Sequence, residues 1–325
     1  MNDFSPHNIT FIHTGAIGDL VQAAPLLRAI RAQWPDAHVT FIGRPQRGAL
    51  LQMAALVDAV VDAETCGLWR LAGDEGTSGP LPRALAEADL VLDLLGLAAL
   101  RGRVVRVEPL PPADWRSSAA EWLLGQARGA IALPAVPPEP VLPVSEAILE
   151  SARAALAAKG IGGGFAAIHP GSGSARKNWP MERFEALAHR IRKETGRQVV
   201  WLLGPAEMER QGAPATDAND AVLADTPLET VAGVLARADV YIGNDSGVTQ
   251  VAAAVRGPGF APTQRGFALA TPGGRATPTV ALFGPTDARI WGPRGFHVRL
   301  LRSPDGTMGA IGTDEVWANV RETLI

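Results

Sequence analysis

Short runs of β-branched and apolar residues alternate with stretches of three-to-four periodicity along almost the whole chain, the pattern of βαβ units built on parallel sheets. In the first half, Ile9 to His13, Val39 to Ile42, Ala59 to Val61, Leu90 to Leu94 and Val104 to Val107 read as strands. Leu20, Ala23, Leu27, Ile30 and Trp34 follow the first run at steps of three and four, which places one apolar stripe on a helix. Pro25 lies inside that stripe and predicts a kink or a local break, because it has no N–H to give the helix ladder. A second series of strands is expected at Phe165 to His169, Val199 to Leu203, Val240 to Gly243, Thr279 to Phe283 and Val298 to Leu301. Pro180 opens a helix carrying Phe184, Leu187, Ala188 and Ile191 that ends at Gly196. In Thr226-Pro227-Leu228-Glu229, Thr and Glu stand at capping-box spacing and Pro takes the first helical position.

Between Pro109 and Pro143 the rhythm breaks, with proline pairs beginning at 111 and 137, prolines at 134, 140 and 143, and one Trp-containing helical stretch. The linker is placed near the end of this segment, before a helix that Ser145 can cap and Gly160 can stop. This gives a domain at 1–143, a second at 144–312, and a terminal helix at 313–325 expected to pack back on the first domain. A length of 325 residues agrees with two domains, each large enough to bury a core.

The balance of 30 Lys+Arg against 33 Asp+Glu excludes a general nucleic-acid binder, which would carry a basic surface. The single cysteine, Cys66, excludes an intrachain disulfide framework or a Cys-based metal ribbon and fits a reducing, cytoplasmic compartment. The start reads as a strand rather than a signal peptide, and prolines cut the apolar runs well short of a membrane span.

Three loops could carry chemistry. Thr14-Gly15-Ala16-Ile17-Gly18-Asp19 follows the first strand and opens a helix; Asp19 reads as a helix cap or as a general base at the carboxyl edge of the sheet. It is not the Gly-x-Gly-x-x-Gly dinucleotide loop. His169 to Pro180 is rich in small residues and ends in Arg176 and Lys177, cations that suit a diphosphate or a solvated surface loop equally. Gly243-Asn244-Asp245-Ser246-Gly247-Val248-Thr249-Gln250 and Phe283-Gly284-Pro285-Thr286-Asp287 each follow a strand; the helix beginning near Ser246 is a ready anion site, whereas Asp245 and Asp287 could instead cap a helix and close a turn.

Taken in order, the Gly15–Asp19 loop with Pro25 and Leu27, the Pro-Gly-Ser loop running to Lys177-Asn178-Trp179-Pro180, Gly204-Pro205-Ala206-Glu207, Asn244 to Gly247 and Phe283 to Asp287 resemble the ADP-heptose:lipopolysaccharide heptosyltransferases, glycosyltransferase family 9. The resemblance spans Ile9 to Gly292 and implies an α/β GT-B architecture of two facing Rossmann-like domains with parallel sheets. It implies an inverting transfer of heptose from ADP-heptose to a lipopolysaccharide inner-core-type acceptor, without a metal or cofactor, the ADP-sugar being a donor substrate. Asp19 would be the general base, with Gly15, Gly18, Arg101 and Arg103 on the acceptor side. Ser172, Lys177, Glu207, Asp245, Ser246, Gly247, Val248, Thr249, Gln250, Thr286 and Asp287 would hold the donor, with Lys177 also catalytic. The implied partners are a nucleotide sugar and an anionic glycolipid or other glycan, with peripheral contact at the inner membrane surface.

The chain departs from the family pattern at Gln250, where a His is usual, and at Arg256 to Thr277, where a short turn is usual. The insertion reads as a flap over the donor site, with Arg265 and Arg275 as phosphate contacts, or as a surface insertion. Arg44, Arg47, Arg101, Arg103 and Arg106 read as a patch for an anionic acceptor or as solvated surface. His13 is expected to be buried and His169 to orient its loop, while the eight tryptophans, spread along the chain, suggest packing rather than a sugar-stacking strip. Another nucleotide sugar or acceptor, such as a small glycoside or a protein, and a non-catalytic nucleotide-sugar-binding module are the alternatives.

Overall fold

The computed structural model describes residues 4–71, 80–100, 102–204, 214–257 and 274–324. The described residues form two compact units that divide between Pro143 and Val144.

The sheet of the first unit contains β1 (Asn8–Ile12), β2 (His38–Gly43), β3 (Ala59–Asp62), β4 (Leu90–Asp93) and β5 (Val104–Arg106). Its order is β3-β2-β1-β4-β5, and every pairing is parallel. Phe11 and Ile12 lie opposite Phe41 and Ile42 in register, and all four are fully buried, as expected of a central strand covered on both faces. The first helical stripe is two helices, Ile17–Gln22 and Ala24–Gln33, with Pro25 at the start of the second, so the break falls where that proline predicts it.

The two-residue strands β6 (Leu142–Pro143) and β11 (Val255–Arg256) lie outside the two main sheets. The second unit contains β7 (Phe165–His169), β8 (Gln198–Leu203), β9 (Ala221–Ala224), β10 (Val240–Asn244), β12 (Thr279–Phe283) and β13 (Val298–Arg302). They run parallel in the order β13-β12-β10-β7-β8-β9. Ser145 accepts a hydrogen bond from the Ile148 N–H and starts the helix Glu146–Ala157, which packs on the helix Leu228–Arg237. Gly233 permits that approach, since a Cβ there would lie 2.8 Å from both the Ala152 Cβ and the Ile148 carbonyl oxygen.

Besides the two-residue strands β6 and β11, three elements differ from the sequence reading. β9 is an additional strand. The helix after it begins at Leu228 with Pro227 at its cap, and the Thr226 hydroxyl donates to Ala224 O instead of capping, because the Pro227 ring fixes an extended backbone one residue later than the capping-box spacing requires. The terminal helix Thr313–Leu324 was expected on the first domain; it instead buries Val316, Trp317 and Val320 in the core of the second unit, against the helix Met181–Thr195 and β12. Its apolar stripe finds the open side of the second sheet immediately at hand.

Candidate functional site

In a doubly wound parallel sheet, ligands gather at the carboxyl ends of the strands where the strand order reverses. In the first unit that reversal lies between β1 and β4, and in the second between β7 and β10. Asp19 belongs to the loop and helix after β1; Ser172 and Lys177 follow β7, Asp245 to Gln250 follow β10, and Thr286 and Asp287 follow neighbouring β12.

In the first unit Asp19 sits in the first turn of the helix Ile17–Gln22, half-buried, and its Oδ2 accepts the Ala16 N–H at 3.1 Å. It is therefore not the N-cap residue but the acidic member of a capping box whose cap, Ala16, has no polar side chain. Gly15 is required here by close approach: a Cβ would stand 2.8 Å from His13 Cε1 and 3.2 Å from Asp19 Oδ2. Arg47 holds the loop from the helix Pro45–Met53 that follows β2, with Nη1 donating to the carbonyls of Thr14, at 2.9 Å, and Gly15. Asp93, fully buried at the end of β4, accepts the N–H groups of Leu95, Gly96 and Leu97 and so fixes the other side of the reversal. Neither Arg47 as a loop clamp nor Asp93 was recognised in the sequence; the only signal for Asp93 was an acid inside an apolar strand, three residues before Gly96.

His13 is buried at the end of β1, stacked on Phe11. Burial, and then the Arg47 cation, hold its imidazole down at about 4, against an ordinary value of 6.5. Between those two pH values the unfolded chain binds a proton that the native state refuses, so stability falls as pH drops from about 6.5 to about 4. His13→Phe is expected to flatten that part of the fall, read as urea midpoints across the interval; an unchanged slope would contradict the assignment.

The arginine patch does not form as one surface. Arg103 precedes β5, on the amino edge of a parallel sheet, and its guanidinium lies 3.7 Å from the Phe4 ring centroid, whereas Asp19 lies on the carboxyl edge. Arg106 donates to Leu97 O, Arg47 is taken by the Asp19 loop, and Arg44 is exposed. Arg101 and Glu207, like Arg265 and the centre of the 256–277 insertion, lie outside the described residues. Arg275 is described, and it bonds Arg237 O, Ala238 O and Asp239 within its own unit.

In the second unit the loops after β7 and β10 are joined through Asn244. This fully buried amide accepts the Trp179 N–H at 3.0 Å and donates to Pro170 O at 2.6 Å. Next to it, Lys177 Nζ stands 2.8 Å from Asp245 Oδ2, an ion pair with a half-buried cation and an almost buried carboxylate. The contact is charge to charge without hydrogen-bond alignment, and Asp245 is the one partner of the Lys177 ammonium among the described residues. An ammonium has three N–H donors, so donors remain for a ligand. Ser246, not Asp245, caps the helix Gly247–Ala254, its Oγ accepting the Thr249 N–H at 3.2 Å. The Gly247 and Val248 N–H groups belong to the first turn, whose donors have no acceptor inside the helix.

Other expected donor residues build the frame. The Thr249 hydroxyl donates to Asn244 O and is bonded by the buried Tyr241 hydroxyl, whose pKa burial pushes up. Ser172 Oγ bonds Ser174 and Asn178 and shapes its own loop, and His169 Nδ1–H donates to Leu202 O at 2.8 Å. Gln250 Nε2 donates to Trp291 O at 2.6 Å and ties this helix to the one after β12. Asp287 caps that short helix and grips Arg289, whose guanidinium and then backbone N–H hold the carboxyl down at about 2; Thr286 stands half-buried beside it.

Among the described residues no helix is long and apolar enough to cross a membrane, and no three His, Cys, Asp or Glu side chains are grouped as metal ligands. Residues 114–267 match the family model of glycosyltransferase family 9 (heptosyltransferase). A comparison with curated proteins finds no significant match. Among solved structures, the chain is similar to a glycosyl transferase family 9 protein from Veillonella parvula, with 17% identity, a TM-score of 0.71 and coverage of 98% of this chain and 97% of that one. It is similar to the ADP-heptose lipopolysaccharide heptosyltransferase II of E. coli, with 18% identity, a TM-score of 0.72 and 98% of each chain covered. The E. coli heptosyltransferase WaaC, solved with ADP, gives 19% identity and a TM-score of 0.67 over 97% of this chain and 99% of that one. At such identities the likeness establishes the fold, an α/β architecture with parallel sheets in two domains.

Proposed function

We propose, from the premise that the chain carries a glycosyltransferase family 9 domain and is a glycosyltransferase, that it transfers heptose with inversion from ADP-heptose to an anionic inner-core-type glycolipid. The observation that carries this reading is the placement of Lys177 beside the first turn of the helix Gly247–Ala254, at the strand-order reversal of the second sheet. A fixed cation and N–H groups without helical acceptors are what a departing diphosphate needs, because negative charge grows on it as the glycosidic bond breaks.

In the proposed step Asp19 takes the proton of an acceptor hydroxyl, and the resulting oxygen forms a bond to the anomeric carbon. The bond from that carbon to the diphosphate oxygen breaks, and ADP leaves with the electron pair. The carboxylate is held for this by the Ala16 N–H, in a loop clamped by Arg47. Reaction in the cytoplasm, with the acceptor at the inner membrane surface, fits a chain whose described helices are all too short or too polar to span the bilayer.

Thermal shifts with ADP-heptose, ADP, UDP- and GDP-sugars and NAD test the donor, followed by an assay of ADP release with lipopolysaccharide-core acceptors. Stabilisation by ADP and ADP-heptose, with ADP release, is expected; a ligand at a hundred times its Kd adds about 2.7 kcal/mol. Stabilisation by NAD alone would overturn the proposal, and binding without ADP release would favour a non-catalytic module.

A further inference from the structure

The sequence reading assigned the tryptophans to packing. Two of them, Trp115 and Trp122, are instead set at the carboxyl edge of the first sheet, in the segment that follows β5, and both remain partly exposed. Their rings meet edge to face, with centroids 5.2 Å apart and planes at 63°. Each indole is locked by its own N–H: Trp115 Nε1 donates to Ser118 O at 3.1 Å, and Trp122 Nε1 to Glu108 O at 2.8 Å. The turn between them is rigid, because Ser118 caps the helix Ala119–Ala130 in a full capping box with Glu121. That helix packs against both Ile17–Gln22, which carries Asp19, and Ala24–Gln33.

Next to Trp115 in the chain, exposed Arg116 uses Nη1 on the carbonyls of Ala113 and Trp115, at 3.0 and 2.9 Å. Its Nε and Nη2 have no hydrogen-bond partner among the described residues. Fixed aromatic faces and a guanidinium with donors to spare form a recognisable set. The apolar C–H face of a pyranose stacks on an indole, and a carboxylate or phosphate on that sugar meets the guanidinium fork. Because the side chains are already held, little ordering entropy is lost on binding.

We propose that Trp115, Trp122 and Arg116 form a subsite for an anionic sugar of the acceptor. The proposal rests on the first unit being the acceptor-binding one. It adds a residue set that binds a sugar ring without taking part in the chemistry.

Full-length protein, with ADP present to fill the proposed donor site, is titrated calorimetrically with methyl β-D-glucuronide, glucose 6-phosphate and neutral methyl β-D-glucoside. Both anionic probes are expected to bind, with the neutral glucoside about tenfold weaker, the ratio one charge-assisted contact supplies. Arg116→Ala should erase the preference for charge. Trp115→Leu and Trp122→Leu should weaken every probe by about tenfold, as loss of an aromatic anchor does, while Trp115→Phe keeps part of the affinity. Circular dichroism and the ADP thermal shift serve as fold controls. No binding of either anionic probe by the parent, or equal binding by both folded Leu variants, overturns the subsite. If the subsite behaves as stated but no acceptor is ever glycosylated, the transferase reading fails alone; if transfer proceeds equally well in the Leu variants, the subsite fails alone.

Discussion

Asp19→Asn is expected to lower kcat for sugar transfer by about 10²–10⁴-fold, the span a positioned general base contributes, with donor binding unchanged. Asparagine keeps a side-chain oxygen for the Ala16 N–H, now bonded to Asp19 Oδ2 at 3.1 Å, and it adds no bulk beside Gly15 and His13. The loop therefore survives, and what is lost is the capacity to take a proton. Steady-state rates of ADP release, with sugar incorporation followed in parallel, measure the effect, and the ADP thermal shift shows that the second unit is intact. If the variant releases ADP and transfers sugar as fast as the parent, Asp19 is a capping residue alone.

The second large effect is expected at Lys177. Lys177→Met removes the cation 2.8 Å from Asp245 while nearly conserving volume. Two costs then add: a carboxylate with a side chain only 10% exposed loses its counter-charge, and an incoming diphosphate meets that carboxylate unscreened. Breaking one partner of such a pair costs about 2–5 kcal/mol or more, so ADP affinity should fall by at least one and up to about three powers of ten. Calorimetric titration with ADP reads this directly. In Lys177→Met/Asp245→Asn the stranded charge is gone, so part of the ADP affinity should return while turnover stays low, since the cation that stabilises the leaving group is still missing. Parent-like ADP binding by Lys177→Met would remove Lys177 from the donor site.

Much of this was legible in the chain because it is local. Alternating apolar runs and helical stripes depend on neighbours two to four residues apart, so ten of the strands were placed before any contact was known. Pro25 broke its helix as expected, since a missing N–H acts wherever the residue is buried. What failed did so for tertiary reasons. Ala221-Val222-Leu223-Ala224 has little strand propensity of its own and becomes β9 through its register against Val200 to Leu203. Thr226 lost its cap to the backbone fixed by Pro227. Arg103 reads like its neighbours in sequence, yet a parallel strand sends it to the opposite edge of the sheet from Asp19.

The sequence by itself determined the parallel α/β class, the order of the glycine-rich turns and the helix start at Ser246, because turn and cap chemistry is written in a few adjacent residues. The tertiary structure alone decided which of those turns meet. It set Lys177 against Asp245, clamped the Asp19 loop with Arg47 and gave Gln250 the Trp291 carbonyl. Those pairings join residues far apart along the chain, and they exist only because parallel strands deliver every following loop to one edge of the sheet.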